Sequence, residues 1–159
     1  MEKQGKSQKK GKAVKAVPEG MHTVTPFLVV DGANDFIRFI EQSFNARTTS
    51  IMKTKDGRVM HASVQIGDSQ VMVSDATEQY PAGSCRLYLY VNDVDATYKK
   101  AIGANGVSLR EPTDEFYGDR SSGIKDAWGN EWWIATHIED VDEEEMEKRA
   151  RKFSQEAHA

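Results

Sequence analysis

One strand-to-helix junction occurs twice in this chain of 159 residues, at an interval of about 60 residues. The first copy runs from Phe27 to Ile37 (FLVVDGANDFI), and the second runs from Leu87 to Tyr98 (LYLYVNDVDATY). Self-similarity at a fixed interval is the mark of a duplicated supersecondary unit. Because so short a unit buries little surface by itself, the two copies are expected to share one core.

Each copy is predicted to contain a strand, a helix and three further strands. In the first, a strand over residues 21–30 precedes a helix whose apolar residues recur at helical spacing, with Asp31 expected to cap its start and Asn45 to end it. Strands at 47–54, 58–66 and 70–75 follow, separated by Lys-Asp-Gly and Gly-Asp-Ser turns. The second copy repeats the order with a strand at 85–91, a helix capped by Asp93, and strands at 107–111, 119–126 and 131–137. The sequence therefore predicts an α+β fold of two tandem β-α-β-β-β modules.

The segments outside these modules differ in composition. Residues 1–20 contain six lysines and two glutamates, a net charge of +4, so the remainder carries −8 of the total of −4. Such a Lys/Gly/Gln/Ser-rich segment favours a disordered basic tail. We place the first module at residues 21–78, the second at 84–138 and a C-terminal helix at 141–156, where Asp142 and Glu145 have capping-box spacing.

The composition restricts the classes of partner. No apolar run approaches the roughly 20 residues of a membrane helix, and the lysine-rich start lacks the apolar core of a signal peptide. The single cysteine, Cys85, cannot form an intramolecular disulfide, which agrees with a reducing compartment. An acidic body lacks the basic face that nucleic acid requires. We therefore expect a cytoplasmic protein that binds neither membrane nor nucleic acid.

The segment from Tyr117 to His137 is predicted to be a hairpin that contains all three tryptophans. Its turn is Asp126–Asn130, in which Gly129 can adopt the positive φ that tight turns need. Trp132 and Trp133 are adjacent, so their side chains are expected on opposite faces of one strand. We assign Trp133 to the cavity side and Trp132 to the packing side.

These modules resemble the vicinal oxygen chelate superfamily, which includes glyoxalase I, extradiol dioxygenases, and fosfomycin- and bleomycin-resistance proteins. The PhnB-like branch is the most similar. The resemblance covers about residues 20–150, and its motifs are residues 23–33, 56–62, 66–69, 89–96, 116–123, 132–140 and 143–146. It implies a curved mixed sheet around a cavity, and it implies a homodimer.

The family's metal enzymes bind a divalent ion through His, Gln or Glu on the first and last strands of each module. The resemblance carries these four positions onto Thr25, Met72, Arg86 and Trp133. A hydroxyl, a thioether, a guanidinium and an indole do not form a site for a hard divalent cation. We therefore expect the family's usual metal site to be absent and no cofactor to be bound.

Other side chains are candidates for binding a small molecule. Arg86 at an inward strand position needs an anionic partner, and Tyr88 alternates with it. Arg120 offers a planar fork beside Tyr117, although an internal bridge from Arg120 to Asp119 or Asp126 is the alternative. The predicted ligand-binding residues are Trp133, Arg86, Tyr88, His61, Thr25, Met72, Tyr117 and Arg120. No catalytic residue is assigned.

Three functions remain open from the sequence. The first is a non-enzymatic binder of a small aromatic or anionic molecule. The second is a metal-dependent lyase or dioxygenase-like enzyme whose site is rebuilt from His61, His22 or Asp126. The third is a structural or interaction module in which Trp133 fills the cavity.

Overall fold

The computed structural model describes residues 14–156. The first module contains β1 (Phe27–Val30), α1 (Ala33–Phe44), β2 (Arg47–Lys53), β3 (Val59–Ile66) and β4 (Ser69–Asp75). The second contains β5 (Arg86–Tyr90), α2 (Val94–Gly103), β6 (Val107–Asp114), β7 (Asp119–Lys125) and β8 (Glu131–His137). A last helix, α3 (Glu143–Glu156), follows. The predicted α+β fold of two β-α-β-β-β modules is confirmed, whereas residues 1–13 of the predicted tail lie outside the described part.

The strands form two four-stranded mixed sheets. The first has the order β1-β4-β3-β2 and the second has the equivalent order β5-β8-β7-β6. In each sheet the first strand pairs parallel with the last strand of its module, and the other pairs are antiparallel. β1 and β5 are both edge strands, and Gly83 of the linker donates its N–H to the Val29 carbonyl on β1. Each module therefore has a sheet of its own.

One core joins the modules. Helices α1 and α2 pack against each other, each covering one face of its own sheet. The Phe44 ring of α1 lies 4.7 Å from the ring of Trp132 on β8, and Phe36 lies 5.1 Å from Trp128 in the β7–β8 turn. Trp132 is fully buried, as its assignment to the packing side predicted. Burial of such rings across the junction explains why neither module is expected to stand alone.

The β7–β8 turn is held by a carboxylate. Asp126 is 5% exposed and accepts hydrogen bonds from the backbone N–H groups of Trp128 and Asn130. Its second oxygen accepts from the Asn130 amide and from the Trp132 indole N–H. Gly129 has a φ of 85°, as the turn prediction requires.

Two local predictions need correction. The first strand begins at Phe27 rather than at residue 21, because Met21 and Thr25 are engaged in local turn hydrogen bonds with Pro18 and His22. Asp31 does not cap α1, whose N-cap is Gly32 with a φ of 76°. The remote Asp75 carboxylate instead accepts from the N–H groups of Gly32 and Ala33.

Other helix termini agree with the sequence. Asn45 ends α1 with a φ of 53°, and Asp93 caps α2 by accepting from the Ala96 N–H at 2.9 Å. Asp142 caps α3 by accepting from the Glu145 N–H. Within residues 14–156, no helix is long and apolar enough to span a bilayer.

Candidate functional site

Each sheet has one face covered by helices and one that the helices leave open. We call the uncovered face of the β1-β4-β3-β2 sheet the first open face, and the uncovered face of the β5-β8-β7-β6 sheet the second open face. Residues directly opposite on paired strands share a face. Register therefore places one row across the second open face, consisting of Tyr88, Trp133, Gly123 and Arg110.

The centre of this row is layered. A Cβ added to Gly123 would lie 3.0 Å from the Trp133 ring, so the missing side chain lets the indole lie against the strand. The Arg110 guanidinium lies over the same ring, with its central carbon 4.9 Å from the ring centroid. Trp133 thus lies on the face opposite to the buried Trp132, and Arg110 covers it with a cation–π contact.

Arg110 is held in place by two neighbours. Its Nη2 lies 2.7 Å from a carboxylate oxygen of Glu115 and also donates to the Ser121 hydroxyl. Ser121 in turn donates to Glu115 at 3.0 Å, and the Glu115 side chain is only 13% exposed. Arg110 Nε is buried without a hydrogen-bond partner in the described structure. The guanidinium charge is compensated, while part of its donor capacity is unused.

Three tyrosines lie beside this stack. The rings of Tyr88 and Tyr90 are 5.3 Å apart, and the Tyr90 hydroxyl donates to Asp119 at 2.9 Å. Burial, followed by hydrogen bonding with Tyr117, raises the pKa of the Tyr88 hydroxyl well above its usual value. The hydrogen bond to Asp119 is the main cause that raises the pKa of Tyr90. The hydroxyls of Tyr88 and Tyr90 are therefore neutral near pH 7.

A histidine between two carboxylates closes one end of the face. His137 Nδ1 lies 2.8 Å from Asp119, and Nε2 lies 2.9 Å from Asp140. Asp119 is 3% exposed, whereas Asp140 is fully exposed. The hydrogen bond to Asp119, then that to Asp140, raises the pKa of His137. The buried Asp119 carboxylate is thus matched by a partner that can carry a positive charge.

Arg86 lies at the other end of the face, in an ion pair. Its Nε is 2.6 Å from Glu131, and its side chain is 70% exposed. The hydrogen bond from Arg86 is the main cause that lowers the pKa of Glu131. Arg86 therefore has the carboxylate partner expected for it, but at an exposed rim.

The structure does not bring all predicted site residues together. His61 and Met72 lie on the first open face, where the Phe27 ring is 6.3 Å from His61 and Phe27 is opposite Met72. Thr25 precedes β1, and its hydroxyl donates to the His22 carbonyl. Within one chain these residues are separated from the Trp133 row by the helix layer.

Arg120 lies on the helix-covered side of the second sheet. It forms ion pairs with Asp95 of α2 and Asp114 of β6, at 2.7 and 2.8 Å. The bridge considered from the sequence, to Asp119 or Asp126, is therefore replaced by bridges to other carboxylates. Asp126 is occupied by its four turn hydrogen bonds, which leaves it no role in the rebuilt metal site.

The side chains at the four family metal positions do not fit a hard divalent ion. Arg86 lies two residues before Tyr88, the strand partner of Trp133. Thr25 lies two residues before Phe27, the strand partner of Met72. Each of these side chains lacks a strong anionic or imidazole donor. Among residues 14–156, no group of three or more His, Cys, Asp or Glu side chains is arranged to hold a metal.

A groove of about 960 Å³ lies between the modules, beside β5. Its walls include the β3–β4 turn, the C-terminal end of α1 and the first turns of α2. Tyr88 and Tyr90 border both this groove and the second open face, but Trp133, Arg110 and His61 do not line it. We assign the candidate site to the second open face, where the charged and aromatic groups converge.

Sequence reasoning did not find Arg110, Glu115 or the Asp119–His137 pair. Arg110 and Glu115 come from β6 and the following loop, and only the strand register brings them to Trp133. The one available signal is Gly123, since a glycine inside a strand indicates a close approach by a neighbouring group.

Comparisons with known proteins agree with this architecture. An uncharacterised protein of Mycobacterium tuberculosis strain H37Rv is 27% identical over 135 residues, covering 78% of this chain and 79% of that protein. A PhnB protein of Bacillus cereus superposes with a TM-score of 0.56 at 19% identity, covering 72% of this chain and 99% of that chain. TnmS3, an antibiotic-binding protein from a Streptomyces species, gives a TM-score of 0.56 at 19% identity, with coverages of 73% and 97%.

A family model extends over most of both modules. The model of the glyoxalase, bleomycin resistance protein and dioxygenase superfamily matches residues 20–134. This range includes both β-α units and the Trp133 strand up to Ile134. The chain belongs to the glyoxalase/bleomycin resistance protein/dioxygenase superfamily.

Proposed function

We propose that this protein binds a small aromatic or anionic molecule on the second open face, without the superfamily's usual metal. The observation that carries the proposal is the row of Tyr88, Trp133, Gly123 and Arg110, where flat groups and unused hydrogen-bonding capacity coincide. Ligand sites combine apolar and aromatic walls with a few placed polar groups. TnmS3, which shares the fold, is named an antibiotic-binding protein, and this supports a binding role.

The proposed contacts follow from position on the face. Trp133, Tyr88 and Tyr117 keep the roles expected for them, Arg110 joins them, and Arg86 lies at the rim. Arg120 leaves the proposed site because it points to α2.

We also propose that two copies associate through their open faces. Large apolar or aromatic side chains remain exposed there, including Phe27 at 53%, Met52 at 59% and Tyr90 at 67%. Clusters of exposed apolar groups favour a covering partner. Such a dimer would allow His61, Met72 and Thr25 of one copy to approach the site of the other. Light scattering on the full chain tests this, and a monomer at micromolar concentration would contradict it.

The compartment and the absence of nucleic-acid binding stay part of the proposal. The single Cys85 supports a reducing compartment, and we propose the cytoplasm. The acidic body supports a small molecule rather than nucleic acid as the partner.

Titration of the full chain with a panel of aromatic compounds tests the binding function. Trp133 fluorescence is expected to change on binding, and Trp133→Phe is expected to lose most of that change and at least tenfold in affinity. Trp128→Phe is the matched control, because Trp128 packs on Phe36 and donates to the Asp31 carbonyl away from the second open face. Equal loss in both variants, or no binding by any compound, would contradict the proposal.

The metal-dependent alternative has its own measurement. Elemental analysis of protein purified without a polyhistidine tag is expected to show no stoichiometric divalent metal. A full equivalent of bound metal would contradict the metal-free proposal.

A further inference from the structure

We infer that the ligand of the second open face is an uncharged planar molecule carrying a hydrogen-bond-accepting oxygen, and is not an anion. This inference rests on the proposed binding function and narrows its ligand class. It follows from how the charges of this face are already paired, from the donor capacity that Arg110 has left, and from the layered geometry over Trp133.

The guanidiniums of this face already have carboxylate partners. Arg110 is 2.7 Å from Glu115, and Arg86 is 2.6 Å from Glu131. Asp119, which lies with His137 at one end of the face, is buried and adds a negative potential that acts on Tyr88. An anion arriving here finds no uncompensated guanidinium and meets carboxylates instead. Two other groups of this face can carry a positive charge: Lys125 is exposed in the outer row beside Glu131, and His137 is already paired with Asp119 and Asp140.

An anion could bind Arg110 only by displacing Glu115. The Glu115 side chain is 13% exposed, so its carboxylate would be left largely buried without its cation. Breaking a buried pair by removing one partner is strongly unfavourable. A neutral ligand avoids this cost because it leaves the Arg110–Glu115 pair intact.

The unused donor capacity of Arg110 favours an oxygen acceptor. Nη2 is engaged by Glu115 and Ser121, and Nε is buried without a partner. Because Nε is itself buried, a ligand can reach only the other guanidinium nitrogens, and the Arg110 side chain as a whole is 39% exposed. A guanidinium has five N–H donors and no acceptor. A carbonyl or hydroxyl oxygen is therefore the complementary group.

The planar shape follows from the layering. Gly123 backbone, Trp133 indole and Arg110 guanidinium are stacked in this order, and Tyr88 is opposite Trp133 on the neighbouring strand. The exposed outer layer is therefore a flat guanidinium flanked by an aromatic ring. Guanidinium planes stack on aromatic faces.

The test compares three naphthalene derivatives of nearly equal shape: the methyl ketone, the carboxylate and the ethyl compound. Binding is followed on the full chain by the indole N–H resonances, because the three tryptophans differ in environment. Trp133 lies on the open face, Trp132 is fully buried against Asp126, and Trp128 donates to Asp31. We expect the ketone to shift the Trp133 resonance selectively and to bind at least tenfold more tightly than either analogue.

A charge variant provides an independent arm. Glu115→Gln keeps hydrogen-bonding capacity toward Arg110 and Ser121 but removes the compensating charge. We expect it to increase carboxylate affinity at least tenfold while changing ketone affinity less than threefold. Glu139→Gln is the matched control, since Glu139 pairs with Arg149 at 2.8 Å near α3. Unchanged Trp128 and Trp132 resonances verify that each variant is folded.

The outcomes separate the two proposals. Carboxylate binding to the wild type as tight as ketone binding overturns the neutral-ligand inference and leaves the binding function standing. Ethyl-compound binding equal to ketone binding overturns the requirement for oxygen. If none of the three compounds shifts Trp133, the proposed binding function for aromatic molecules fails as well.

Discussion

Replacing Asp126 by asparagine is expected to destabilise the protein far more than its small size change suggests. Asp126 is 5% exposed and accepts four hydrogen bonds, two on each oxygen. An asparagine keeps one accepting oxygen, and its NH2 group then faces two N–H donors. Two hydrogen bonds to a charged group are lost, at about 1.5 kcal/mol each, so the free energy of unfolding should fall by about 3 kcal/mol.

That loss is large for a domain whose total stability is about 5–15 kcal/mol. It corresponds to a decrease in melting temperature on the order of 10 °C for a chain of this length. Urea unfolding followed by tryptophan fluorescence measures it, because Trp128 and Trp132 are bound by this same carboxylate. The slope of the transition should stay unchanged, since the folded and unfolded surfaces differ little between the variants.

Asp68→Asn is the control for this substitution. Asp68 lies exposed in the β3–β4 turn, where it accepts a hydrogen bond from the Ser69 hydroxyl. Its substitution should change the unfolding free energy by no more than about 0.5 kcal/mol. If Asp126→Asn costs less than about 1 kcal/mol, or no more than Asp68→Asn, the four hydrogen bonds do not have the energetic role assigned to them.

Three further changes test other contacts. An NMR titration should give His137 a pKa above its usual value of about 6.5, and Asp119→Asn should lower it, because the carboxylate at 2.8 Å favours the imidazolium. Since folding raises the pKa of His137, the stabilisation from this contact is fully present below about pH 6.5 and is lost as the pH rises through the pKa of the folded protein. A normal pKa for His137 would contradict the contact. Gly123→Val should lower the free energy of unfolding, measured in urea, by about 1–3 kcal/mol and displace Trp133, because even a Cβ would lie 3.0 Å from the ring. An unchanged Trp133 indole resonance would count against this packing. Asp75→Ala should lower the unfolding free energy by about 2 kcal/mol, because the carboxylate accepts from Gly32, Ala33 and Val59; a loss within about 0.5 kcal/mol would show that water replaces it.

Local pattern predicted the elements well because local forces decide them. The helical spacing of Phe36, Ile40 and Phe44 identified α1, and Asp93 was recognised as the cap of α2 from its position alone. The first strand was predicted too long because His22–Pro26 has strand-like composition, while the backbone there makes turn contacts instead. Asp75 was missed as the cap of α1 because it lies 42 residues from Ala33.

The candidate site was predicted only in part. Trp133 and Tyr88 were identified because strand alternation and the family resemblance can each be applied to a single sequence position. Neither argument requires knowing which strands pair. Arg110 was missed because it lies on β6 and contacts Trp133 on β8 across the intervening strand β7. Only the register of all three strands shows that the two residues are neighbours. Arg120 was included because its sequence neighbours suggested an anion site, yet adjacent strand residues point to opposite faces.

The sequence by itself determined the duplicated α+β architecture and the side on which Trp132 and Trp133 each lie, because hydrophobic periodicity and alternation are properties of neighbouring residues. Only the tertiary structure decided the chemistry of the second open face. Strand pairing brought Arg110 over Trp133 and Glu115 onto Arg110, and helix packing brought Asp95 of α2 to Arg120. Charge compensation depends on distances of a few ångströms between residues from different strands, and no one-dimensional pattern encodes those distances.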